Sequence, residues 1–93
     1  MIRSCSDRDT ETLFNRGRPR RQSGSVLRVA LRKLVMLNAA TDFTDLRVPP
    51  GNRLEKLRGD LEGQYSIRVN DQWRICFVWR DGDAYDVAII DYH

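Results

Sequence analysis

Two hydrophobic periods divide this chain, and Pro49-Pro50-Gly51 stands between them. Before it, Leu27, Ala30, Leu31, Leu34 and Leu37 recur at helical spacing, while Arg28, Arg32 and Lys33 fall away from that stripe. After it the period is two. Tyr65, Ile67 and Val69 alternate with Ser66, Arg68 and Asn70, and Trp73, Ile75, Phe77 and Trp79 alternate with Arg74, Cys76 and Val78. Asn70-Asp71 and Asp81-Gly82 supply turns, and Tyr85, Val87 and Ile89 alternate with Asp86 and Ala88 in a last strand. Prolines end a helix and are excluded from a central strand, so Asp42 to Asn52 is predicted as a connector. Helices followed by an antiparallel meander define the α+β class. Two N-terminal helices can cover one face of a small sheet and leave the other face open.

Upstream, Ile2 to Cys5 is predicted as a short edge strand. Ser6 or Asp7 is placed to cap a first helix that has Asp9 and Glu11 in its first turn and ends near Gly17. Arg16 to Gly24 has the glycine, proline and like-charge content of a loop, and Ser23 or Ser25 can cap the second helix. With 93 residues, a single domain over residues 1–93 is expected. A chain of this size buries only about 60% of its unfolded surface, which limits it to two packed layers.

The formal charge is +3, but only Lys33 and Lys56 among the 16 basic residues are lysines, which leaves 14 arginines. The guanidinium fork holds anionic oxygens in pairs and stacks on bases, so this bias points toward phosphate. A GC-rich genome would give the same bias by codon usage. Cys5 and Cys76 are too few and too far apart for a disulfide framework or a metal cage, and they are expected to be free thiols acting as small hydrophobes. With one histidine and no cofactor motif, neither a metal site nor a cofactor is expected. No window approaches the roughly 20 apolar residues of a membrane span. The expectation is a soluble cytoplasmic protein without a membrane partner.

The only histidine, His93, closes the sequence Asp91-Tyr92-His93 at the tip of the last predicted strand. A terminal histidine is ordinarily frayed and solvated. This one stands beside a carboxylate and a phenol, and imidazole is the side chain whose ordinary pKa lies near neutrality. That combination is a candidate site.

Three ordered blocks carry a resemblance across nearly the whole chain: Pro49-Pro50-Gly51-Asn52-Arg53-Leu54 with Leu57-x-Gly59-Asp60, then Gly63-x-Tyr65-Ser66-Ile67-Arg68-Val69-Asn70-Asp71-Gln72-Trp73-Arg74, and the terminal Asp91-Tyr92-His93. Together they resemble the HigB toxins, the host-inhibition or plasmid-maintenance killer branch of the RelE superfamily. The resemblance implies a RelE-like microbial RNase fold and a toxin that enters the ribosomal A site and cleaves messenger RNA there. Its implied partners are the ribosome and its RNA, the message, and a helix-turn-helix antitoxin of the HigA type; operator DNA would be reached only through that antitoxin. Motif for motif, Arg74, Asp91, Tyr92 and His93 correspond to family site positions, and Arg58 matches a basic position often filled by lysine. Some relatives carry a histidine shortly before that position, where this chain has Leu54-Glu55-Lys56-Leu57. Arginine is effectively always protonated, so Arg58 can neutralise a phosphate but not shuttle a proton. The acid–base work is thereby left to the tail.

Metal-free RNA cleavage needs a base for the 2′-hydroxyl, charge against the phosphorane, and an acid for the leaving 5′-oxygen. Arg74 and Arg58 are assigned to the phosphate and His93 with Asp91 to proton transfer, while Tyr92 either stacks on a base or shares the proton work. Arg68, Lys56 and the cluster Arg16, Arg18, Arg20 and Arg21 are candidate RNA contacts, with a solvated surface as the plain alternative. Trp73 shares the alternation of Ile75 and Phe77 and is assigned to the core. Two other function classes fit parts of the pattern: a non-catalytic RNA-binding module explains the arginines but not the tail, and an inactive antitoxin-binding scaffold explains only the fold.

Overall fold

The structure is a computed structural model that describes residues 1–16, 24–48, 50–57 and 63–91. Helix α1 spans Arg8–Arg16 and α2 spans Gly24–Ala39; 3₁₀ segments at Phe43–Arg47 and Pro50–Asn52 make up the connector. Strands β1 (Glu55–Lys56), β2 (Gln64–Arg68), β3 (Trp73–Arg80) and β4 (Asp83–Asp91) form one antiparallel sheet in chain order. The α+β arrangement expected from the two periods is therefore present.

Local chemistry accounts for the turns and caps. Asp7, rather than Ser6, caps α1, its Oδ1 accepting from the Thr10 backbone N–H at 3.1 Å. The β3–β4 turn uses Asp81 at φ 53° and Gly82 at φ 81°, the left-handed pair that a two-residue hairpin of matching twist requires. A Cβ on Gly82 would also lie 3.3 Å from the Thr41 carbonyl oxygen. Asn70 shapes the β2–β3 turn by accepting from the backbone N–H groups of Gln72 and Trp73 at 2.8 and 2.7 Å.

One sheet face packs under the helices. Ala30, Leu34 and Leu37 of α2 are fully buried with Leu13 of α1, Leu46, Ile67, Ile75, Phe77 and Val87, and Trp73 packs half-buried against this cluster as expected. Thr10 pins α1 to β4 by accepting from the Ile89 N–H at 3.0 Å. Ile2 to Cys5 runs parallel to β4, with Arg3 N–H donating to the Ala84 carbonyl at 2.8 Å and Val87 N–H to the Ser4 carbonyl at 3.0 Å. The predicted edge strand is thus reduced to two isolated bridges, at Ile2 and Cys5. Between them the β3–β4 register slips, and Asp86 takes φ 51° with its N–H donating to Ser4 Oγ at 2.9 Å. A bulge at that point interrupts the ladder and replaces one backbone bond with a side-chain bond.

Two further features depart from the sequence reading. The two-residue strand β1, hydrogen-bonded to β2, carries no periodic signal of its own. Lys33, expected to face solvent with Arg28 and Arg32, is buried. The connector folds over α2 at that point, and Lys33 Nζ donates to Oδ1 of the fully buried Asn52. Burial, followed by the nearby charges of Arg32 and Arg68, pulls the Lys33 pKa down. Asn52 in turn donates to the Leu46 and Val48 carbonyls at 3.1 and 3.4 Å, so one side chain ties both 3₁₀ segments to α2.

Asn52→Ala is expected to destabilise the fold by about 3 kcal/mol, because it leaves a buried ammonium and a buried carbonyl without their partner. Urea unfolding would measure this. The double replacement Lys33→Met with Asn52→Leu should lose less than Asn52→Ala alone, since no unpaired charge then remains in the interior.

Candidate active site

Residues paired directly across strands share a sheet face. The register Ser66–Cys76–Ala88 and Arg68–Arg74–Ile90 therefore lines the face turned away from the helices. Arg74 is the anchor of this face. Although charged, it is only 7% exposed. Its Nε donates to Ser66 Oγ at 2.8 Å, its Nη2 donates to the Arg53 carbonyl at 2.6 Å, and Nη2 lies 3.9 Å from a Glu55 carboxylate oxygen. Register explains the set: Ser66 pairs with Glu55 on one side and with Cys76, two residues from Arg74, on the other.

Arg53 takes φ 44°, a left-handed conformation that costs a non-glycine residue about 1–2 kcal/mol. That twist turns its carbonyl onto the Arg74 guanidinium. Backbone strain, a buried hydroxyl and a strand-edge carboxylate thus fix one cation in place. A preorganised charge with restricted solvent is the device that stabilises charge developing on a phosphate oxygen.

Arg68 stands directly opposite Arg74 on β2 and is partly exposed, and its guanidinium pairs with Asp71 of the β2–β3 turn. That pairing relieves the like-charge apposition across the strands. Asp91, the last residue of β4, pairs with Trp73, one step beyond the Arg74–Ile90 pair, and its Oδ2 accepts from Gln72 Nε2 at 3.1 Å. Strand alternation therefore directs Asp91 and Arg74 to opposite sides of the sheet end. Lys56 is exposed on β1, and Arg16 is the final residue of α1. Arg58, Tyr92, His93, Arg18, Arg20 and Arg21 lie outside the described residues.

Cys76 sits on the same face beside Arg74. Burial pushes its thiol pKa up against the opposing pull of that guanidinium. Burial likewise raises Cys5, helped by Glu11 and Asp7. Both cysteines are free, and their thiols are held protonated, which suits packing better than nucleophilic chemistry. Among the described residues no group of acidic, cysteine or histidine side chains has the arrangement of a metal site, and no helix is long and apolar enough to cross a membrane.

Residues 4–93 match the sequence model of a family described as HigB-like toxin, the RelE-like toxin of the type II toxin–antitoxin system HigB. The chain belongs to the HigB-like toxin family. It is 53% identical to Toxin HigB-1 of Vibrio cholerae over 60 residues, which are 64% of this chain and 63% of that protein, so the match spans less than two thirds of that relative. It is 32% identical to Endoribonuclease HigB of Proteus vulgaris over 93 residues, the full length of both. Among solved structures, the YoeB dimer from Staphylococcus aureus superposes with a TM-score of 0.58 at 18% identity, covering 99% of this chain and 97% of that one. The expected RelE-like fold is therefore that of this chain. Membership of a type II toxin family makes an antitoxin its partner.

Within this HigB-like toxin, sequence reasoning singled out Arg74 but not the groups that hold it. Ser66 reads in the sequence only as the polar member of an alternating strand. Arg53 carries no local sign that its carbonyl will meet a guanidinium 21 positions away.

Proposed function

We propose that this toxin is an endoribonuclease that cleaves messenger RNA in the ribosomal A site and arrests translation. The observation that carries the reading is the fixing of Arg74 on the face opposite the helices, one register step from the strand end that leads into Tyr92 and His93. A full-length relative that bears the name endoribonuclease supports it.

In the proposed reaction the 2′-hydroxyl attacks the adjacent phosphorus. Arg74, with Arg58, offsets charge on the phosphorane oxygens, and His93 handles the protons taken from the 2′-oxygen and given to the leaving 5′-oxygen. Asp91, directed to the other side of the sheet end, acts only by orienting or polarising the imidazole. Tyr92 either stacks on a base or shares in that transfer. The ribosome is assigned the task of holding the message in line, since positioning alone can supply about 7–11 kcal/mol of a barrier. A helix-turn-helix antitoxin of the HigA type neutralises the toxin in the cytoplasm and carries it to operator DNA.

Inducible expression with and without the antitoxin, followed by mapping of message ends on translating ribosomes, tests the proposal. Growth arrest with new ends inside A-site codons is expected. Purified toxin should cleave naked message far more slowly than the ribosome-bound form. Arrest without new ends would reduce the protein to a binding module, and equal rates on naked and ribosome-bound message would remove the ribosome from the mechanism.

A further inference from the structure

Alternation along β1 divides its two side chains between two sites. Glu55, paired with Ser66, turns to the Arg74 face; Lys56, paired with Tyr65, turns to the helix side, where a cavity of about 480 Å³ opens beneath the first 3₁₀ segment. Phe43, Arg47, Arg53, Leu54, Lys56 and Tyr65 line it. Its floor is aromatic, with the Phe43 and Tyr65 rings 4.6 Å apart and tilted by 57°. Its rim is cationic, with Arg47, Arg53 and Lys56 all exposed. Among the described residues that line it there is no carboxylate. The two nearby acids of the 3₁₀ segment are engaged with their own backbone: Asp42 accepts from the Thr44 N–H at 2.9 Å, and Asp45 accepts from the Thr41 and Asp42 N–H groups at 3.2 and 3.1 Å.

We infer that this cavity is a binding site for a nucleotide of single-stranded RNA, its phosphate held by Arg47, Arg53 and Lys56 and its base seated against Phe43 and Tyr65. The volume falls within the range of about 300–1,000 Å³ typical of small-ligand sites. Cations that track phosphates beside rings that accept any base are the usual construction of sequence-tolerant single-strand binding. An acidic peptide of the antitoxin would use the cations but not the rings. Arg53 joins the cavity to the proposed catalytic face, because its carbonyl accepts from Arg74 while its side chain lines the cavity. One strand of RNA crossing the β1 edge would thereby meet both. The inference rests on the proposed action on RNA and adds a subsite away from the scissile phosphate.

The test uses a 2′-O-methyl oligoribonucleotide, which lacks the attacking hydroxyl, so binding is read apart from cleavage. Replacing both Arg47 and Lys56 with Gln should weaken binding and lower the slope of log affinity against log salt by up to about 0.7, the value for one neutralised single-strand phosphate. The same loss of two charges on α2, by Arg28→Gln with Arg32→Gln, should change the slope much less. Phe43→Leu, which keeps an apolar side chain, should weaken binding by about 5- to 150-fold with the salt slope unchanged. Equal effects from the two charge pairs, or none from Phe43→Leu, would overturn the inference. So would variants at Arg47 and Lys56 that bind RNA normally but lose the antitoxin, which would make the cavity an antitoxin site. If the RNA effects appear in a protein that cleaves no message, the subsite stands and the nuclease reading falls.

Discussion

Replacing His93 with Gln is expected to slow cleavage of ribosome-bound message by about 10²–10⁴, the usual contribution of a positioned acid or base. His93 is the only histidine in the chain and the residue whose ordinary pKa suits proton transfer near neutrality. The unfolding midpoint, measured beside the rate, separates lost chemistry from a lost fold: a role in proton transfer leaves it at its parental value. Binding to the ribosome and to the antitoxin should persist, while toxicity fades. A His93→Gln protein that cleaves at the parental rate would move the proton chemistry to Tyr92 and leave the arginines as the catalytic core.

Arg74→Ala should disable cleavage for a different reason and with a second consequence. Loss of one preorganised donor at the reacting phosphate costs about 10²–10³ in rate. Arg74 also satisfies the buried Ser66 hydroxyl and the partly buried, strained Arg53 carbonyl. Its removal should therefore destabilise the fold by about 1–3 kcal/mol for each group left unpaired. The two effects can be separated with Ser66→Ala, which keeps the charge and removes only the acceptor that aims Nε. If orientation of the guanidinium matters, Ser66→Ala lowers kcat with little change in RNA binding. If Arg74 merely supplies charge, Ser66→Ala leaves kcat intact. Calorimetric unfolding of both variants and single-turnover cleavage on programmed ribosomes make the comparison.

Features set by near neighbours along the chain were legible in its sequence. The stripe of Ala30, Leu34 and Leu37, the Asp81-Gly82 hairpin, a cap at Ser6 or Asp7 and the alternation of Trp73, Ile75 and Phe77 were all readable, because each is set by residues within a few positions of one another. Family membership was readable for a related reason: ordered blocks of residue identity survive in the chain whatever their environment in space. Those blocks also carry the proposed roles of Tyr92 and Arg58, and for His93 they join the near-neutral pKa of imidazole.

Other features were decided only by tertiary structure. Lys33 reads as a solvent-facing cation until the connector folds over α2 and brings Asn52 to it from 19 positions away. Strand β1 is two residues that become a strand only because β2 offers them a ladder. Arg74 and Asp91 look like members of one site in sequence, yet the register turns them to opposite sides of the sheet end. The basic, aromatic cavity needs Phe43 and Arg47 from the connector, Lys56 from β1 and Tyr65 from β2. The chain by itself determined where the two helices, the three longer strands and the turns between those strands form, because those follow from local backbone preference and hydrophobic period. Which cation is buried, which carbonyl it meets and which side chains share a cavity depended on pairings between distant segments, whose register exists only once the sheet has closed.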